Sequence, residues 1–95
     1  MAEQLSITKI PDSVKIAILK TTGDHHPNPA TVDPKALMSD YNFSFADYAN
    51  LTIRFDQIAI QYNPGADLSE TDVENCITVQ DCIDIVEKEA PAPYI

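Results

Sequence analysis

Tryptophan is absent from this 95-residue chain, glycine occurs twice, and only six lysines and arginines stand against fifteen acids. Each shortage narrows the field. With glycine only at positions 23 and 65, no nucleophile-elbow pattern surrounds any serine, so Ser44, His26 and Asp47 do not read as a hydrolytic triad. The shortage of bases leaves a formal net charge of −9, a surface that repels phosphate backbones and anionic lipids, so nucleic-acid binding is not expected. Two cysteines six positions apart, Cys76 and Cys82, make no disulfide framework and are expected as small buried thiols. No apolar run approaches the roughly 20 residues that span a bilayer, and no basic-then-apolar leader is visible, so no secretory signal is expected.

What is present suits one small globular domain. Hydrophobic residues make up 44% and charged residues 22%, which is ordinary for a packed core and too apolar for wholesale disorder. The charge is lopsided. Residues 1–36 carry four acids and four bases, whereas the other 59 residues carry eleven acids against Arg54 and Lys88, and so the whole −9. Seven prolines fall mostly at segment ends or in one loop, as in helices joined by stiff connections.

Hydrophobic spacing predicts an all-α fold. A lead-in over 1–10 precedes a helix from Pro11 or Asp12 to about Thr22, capped by Asp12 or Ser13 and ended by Gly23. Val14, Ala17, Ile18 and Thr21 share its inner face. Pro27 and Pro29 make Asp24–Val32 a loop, and Asp33-Pro34 predicts a short helix Pro34–Tyr41. Ser44-Phe45-Ala46-Asp47 reads as a capping box opening a long helix to about Asn63, with Tyr48, Leu51, Phe55, Ile58 and Tyr62 inward. Asp47, Arg54, Asp56 and Gln61 fall on its solvated face. A second box at Ser69–Asp72 opens a very short helix through Asn75. A third at Thr78–Asp81 opens a final helix to about Glu89, with Val79, Cys82, Ile83 and Val86 inward and a 91–95 tail beyond.

The stretch Asp67-Leu68-Ser69-Glu70-Thr71-Asp72-Val73-Glu74-Asn75, followed by Cys76-Ile77-Thr78-Val79-Gln80-Asp81-Cys82-Ile83-Asp84-Ile85-Val86-Glu87-Lys88, resembles the acyl carrier protein family. The likeness runs from about residue 50 to 90 and is strongest over 67–88. It implies an acyl-carrier-like four-helix bundle with a short third helix and a cytoplasmic setting; a single domain over 11–90, as a monomer, is expected. It implies a non-enzymatic function: a 4'-phosphopantetheine arm presents an acyl or aminoacyl thioester to enzymes of a biosynthetic pathway. Acyl-activating, condensing or transferase enzymes with basic docking surfaces are the implied partners, meeting Asp47, Asp56, Asp67, Glu70, Asp72 and Glu74.

The family attaches its arm to the serine of an Asp-Ser-Leu motif, and no such motif occurs here. Counted back from Thr78 without gaps, the serine position falls on Asn50, whose amide cannot carry the arm. A helix one turn longer puts Ser44 there instead, where helix-terminal N–H groups suit a phosphodiester. Ser44 is equally a plain N-cap, so cap and attachment point both stand. Ser13, Ser39 and Ser69 are weaker candidates. Loss of the arm altogether leaves an alternative, a degenerate carrier fold acting as a protein–protein binding or regulatory module. The aromatic group Tyr41, Phe43, Phe45 and Tyr48 is expected mainly as core, and Asp24-His25-His26 as a solvated loop and not a metal site.

Overall fold

The computed structural model describes residues 10–89. Four helices form in the order expected: α1 (Ile10–Thr21), α2 (Phe45–Tyr62), α3 (Glu70–Glu74) and α4 (Val79–Glu89), with no strand among the described residues. The fold is all-α. Two 3-10 turns, Pro29–Thr31 and Met38–Tyr41, lie in the long connection between α1 and α2. The expected lead-in, apart from Ile10, and the 91–95 tail lie outside the described residues.

Helix α1 packs on α2 and α4, while α3 packs on α2 and α4. The inward residues are those the spacing selects: Val14, Ala17 and Ile18 from α1, Leu51, Phe55 and Ile58 from α2, and Val79, Cys82, Ile83 and Val86 from α4. Residues three and four apart share a helix face, so each helix delivers one apolar stripe to a common centre. No polar or charged residue among those described is fully buried.

Helix ends follow their local chemistry. At the close of α1, Gly23 takes φ +97°. Its N–H donates to Lys20 O at 3.0 Å and the Asp24 N–H to Leu19 O at 3.1 Å, the paired bonds of a Schellman ending that requires a left-handed residue. Ser44 caps α2 through a reciprocal box: Asp47 N–H donates to Ser44 Oγ at 3.2 Å and Ser44 N–H to Asp47 Oδ2 at 2.9 Å. Ser69 Oγ accepts the Asp72 N–H at 3.1 Å to start α3. At the far end, the Asn63 amide donates to Glu89 O at 2.8 Å, tying the C-terminal ends of α2 and α4 together.

Three expectations need correction. The first helix includes Ile10, which is fully buried, so Asp12 and Ser13 sit inside it and not at its cap. Pro11 is tolerated there because a first-turn residue needs no N–H. Asp24–Val32 is not all loop, since Asn28 Oδ1 accepts the Ala30 N–H at 3.0 Å and starts the Pro29–Thr31 turn. The helix expected over Pro34–Tyr41 is replaced by a turn closed by the Ala36 N–H on Asp33 O at 2.9 Å, an extended Leu37 and the Met38–Tyr41 turn. Its backbone groups are engaged elsewhere. Leu37 forms an antiparallel bridge with Thr78. Val79 N–H donates to Ala36 O at 3.0 Å, Gln80 N–H to Pro34 O at 2.8 Å, and Met38 N–H to Ile77 O at 2.8 Å. An α-helix needs four partners at its N-terminus, and this segment supplies two of α4's in place of helical bonds of its own.

Thr78 completes that junction by accepting the Asp81 N–H at 3.2 Å. Thr78→Ala is expected to lower the unfolding free energy by about 1 kcal/mol. Urea titration measures it, and native-state exchange at Met38 should accelerate in parallel if the two segments form one unit.

Candidate functional site

The N-terminal end of α2 gathers the residues that bear on function. Ser44 is exposed, with its oxygen accepting from Asp47 and its side chain at the start of an 18-residue helix. First-turn N–H groups lack intrahelical partners, so an anion near this end is stabilised. Asn50 lies well inside α2, also exposed. Six residues along a helix is about 9 Å, and there the backbone N–H groups are committed to the helix. Chemically the two positions are unlike: Ser44 offers a hydroxyl beside free amides, and Asn50 offers neither.

The aromatic group divides. Tyr41 and Phe43 stack with centroids 5.5 Å apart, and Phe43 meets Tyr48 edge-on at 5.6 Å. All three pack against the core, whereas Phe45 is 78% exposed, against the expectation for it. Asn42, with φ 53°, reverses the chain between the Met38–Tyr41 turn and α2, a left-handed position that Asn tolerates. This turn sends Phe43 inward and leaves Phe45, one residue into the helix, facing solvent. Burial, with Asp40 close by, raises the Tyr41 hydroxyl above its ordinary pKa, and burial raises that of Tyr48.

The six acids proposed for docking are not equivalent. Asp47 serves the Ser44 box, and Asp56 Oδ1 accepts the Leu68 N–H at 3.2 Å, holding the α2–α3 connection. Both are half-buried. Asp67, Asp72 and Glu74 are exposed and Glu70 is half-buried in the first turn of α3. Of the other serines, Ser13 lies within α1, Ser39 is exposed in the Met38–Tyr41 turn, and Ser69 is the α3 cap. Arg54, expected on the solvated face, has its Nε buried without a hydrogen-bond partner.

Beneath the aromatics lie the two thiols, both free and buried. Cys76 Sγ donates to Asp72 O at 3.4 Å, and the neighbouring Cys82 thiol can stabilise a Cys76 thiolate by hydrogen bonding. That bond lowers the Cys76 pKa, against burial and the nearby Asp81, Asp72 and Asp84. Its counterpart at Cys82 raises that pKa, reinforced by burial. Two adjacent thiols cannot both ionise easily, so Cys76 ionises first. His25 and His26 are exposed, and no group of three His, Cys, Asp or Glu residues positioned for a metal occurs among the described residues. No described helix is long and apolar enough to cross a membrane.

No family model, curated protein or solved structure matches this chain. The reading of the site therefore rests on its own chemistry. Two features escaped the sequence: the exposure of Phe45 and the buried Arg54 Nε. The i, i+3, i+4, i+7 run Arg54, Gln57, Ile58, Gln61 carried a signal for the second, since it marks a helix flank facing a neighbour.

Two expectations follow. Alkylation of the native protein with iodoacetamide should modify Cys76 ahead of Cys82, as read by peptide mapping; equal labelling contradicts the ordering. The Asp81 carboxylate accepts the Ile77 and Thr78 N–H groups, both at 3.0 Å, and these bonds hold its pKa below the ordinary 3.8. The unfolded chain thus binds the proton more readily, so stability from this group is full above the ordinary value and lost as pH falls through the folded one. Thermal unfolding between about pH 5 and pH 2 should show a shallower acid decline in Asp81→Asn than in the unmodified protein.

Proposed function

We propose that this chain is an acyl-carrier-like protein that bears a phosphopantetheine arm on Ser44 and presents an acyl or aminoacyl thioester to biosynthetic enzymes. The observation that carries the reading is an exposed serine hydroxyl at the N-terminal cap of the longest helix. The site fits a phosphodiester in its free helix-terminal N–H groups, and Asp47, engaged with the Ser44 N–H, works against it. The helix plan adds support: a long second helix, a five-residue third and a capped fourth, in the order of the carrier likeness over residues 67–88. The arm supplies the thiol on which the thioester is carried. The protein supplies a surface: Phe45 and Ile53, 78% and 55% exposed, beside α2 and α3 acids that complement a basic partner.

A second reading keeps the surface and drops the arm. Asn50 at the ungapped serine position favours it, as does Phe45, since a largely exposed aromatic ring is a ready anchor for a partner pocket. The protein is then a binding or regulatory module.

Intact-mass spectrometry of the full chain separates the two. Incubation with coenzyme A and a broad-specificity phosphopantetheinyl transferase should add the mass of one phosphopantetheine. Ser44→Ala should abolish the gain. That variant also loses its cap, at about 1 kcal/mol, so circular dichroism must show it folded. No gain in the unmodified protein supports the binding module, and a gain that persists in Ser44→Ala moves the attachment to another serine.

A further inference from the structure

Away from the Ser44 end, α1 and α2 flank a groove of about 200 Å³ with an unexpected charge. Lys20 from α1 and Arg54 from α2 both line it, and no acid among the described residues does. In a chain with fifteen acids and six bases, two cations sharing one groove without a carboxylate is the reverse of the overall balance. Arg54 is also one of only two bases in the last 59 residues. Its Nε is shut off from solvent and has no acceptor. A buried charged donor without a partner is costly, and a small shift that turns the guanidinium edge into the groove would let an anion there remove that cost.

The lining narrows the anion further. Ala17 and Ile58 form an apolar floor, and Gln57 and Gln61 add amide donors and acceptors. The volume is below the roughly 300–1,000 Å³ of drug-sized sites, leaving room for a head group and a few carbons. A guanidinium edge pairs with a carboxylate through two parallel N–H bonds. The −9 field of the whole molecule opposes dianions more strongly than monoanions. We infer that the α1–α2 groove is a binding site for a short-chain organic monocarboxylate, its carboxylate on Arg54 and Lys20 and its hydrocarbon on Ala17 and Ile58. The site is independent of Ser44 and of any arm.

The test is an NMR titration of the full ¹⁵N-labelled chain with hexanoate at neutral pH, with hexanamide and inorganic phosphate as comparison probes. Hexanoate should cause saturable amide shifts confined to residues 13–20 and 54–61, and the two comparison probes should not. Arg54→Gln should weaken hexanoate at least about tenfold, the scale of a lost charged hydrogen bond. Arg54→Lys should weaken it nearly as much, because the charge remains and the fork does not. Lys20→Gln should weaken it by a smaller factor. Should Arg54→Gln fail to fold by circular dichroism, the other two variants decide. Equal shifts with hexanamide, equal binding of phosphate, absence of saturable shifts, or unchanged affinity in the folded Arg54 variants each overturn the assignment.

Discussion

The first-turn amides of α4 are the constraint on which the rest of the structure depends. A helix cannot begin in a packed interior with its N–H groups unpaired, and α4 solves this with two different suppliers. The Thr78–Asp81 box satisfies the helix from within its own sequence. Pro34 and Ala36, more than forty residues earlier, provide carbonyls from the long connection. A connection that long loses considerable entropy on ordering, and these bonds are a principal reason it has a fixed path. Its path in turn places Met38 in the core, stacks Tyr41 on Phe43 and delivers Ser44 to the start of α2. The candidate attachment point is thus positioned by the opposite end of the chain.

Polar side chains act at the rim. Asp56 holds the Leu68 amide, Asn63 the Glu89 carbonyl, and Asp47 the Ser44 amide. These residues look from sequence like part of an undifferentiated acidic or amide surface. In the fold they are connectors, and the freely exposed acids are fewer than the composition suggests. Asp67, Asp72 and Glu74 are exposed, as are Phe45 and Ile53; under the proposed function, charge would guide a partner's approach to them and apolar area would hold the contact.

Helices announced by spacing and caps were legible without coordinates. Leu51, Phe55 and Ile58, or Val79, Cys82, Ile83 and Val86, have the period of a buried stripe, and Ser44 and Thr78 have the chemistry of caps. The Pro34–Tyr41 segment was not legible, because Asp33-Pro34 is a sound local helix start and only the distant α4 amides decide otherwise. Propensity yields to tertiary pairing there. Phe45 misled for a similar reason: hydrophobicity suggests burial, but its rotation about the helix axis is set by Asn42 and the cap. Arg54 sits on a polar flank by any helical projection, and only its surroundings in the fold enclose its Nε.

The purely nonpolar interior has a consequence for how the helices are kept in register. With no polar or charged residue fully buried among those described, alignment along the bundle axis is held from outside, by the Leu37–Thr78 bridge and the Asn63 tether at opposite ends of α4. Prising the helices apart midway uncovers mainly hydrocarbon and sulfur. Separation at mid-height is therefore resisted by the hydrophobic effect, while the two rims are held by directional bonds.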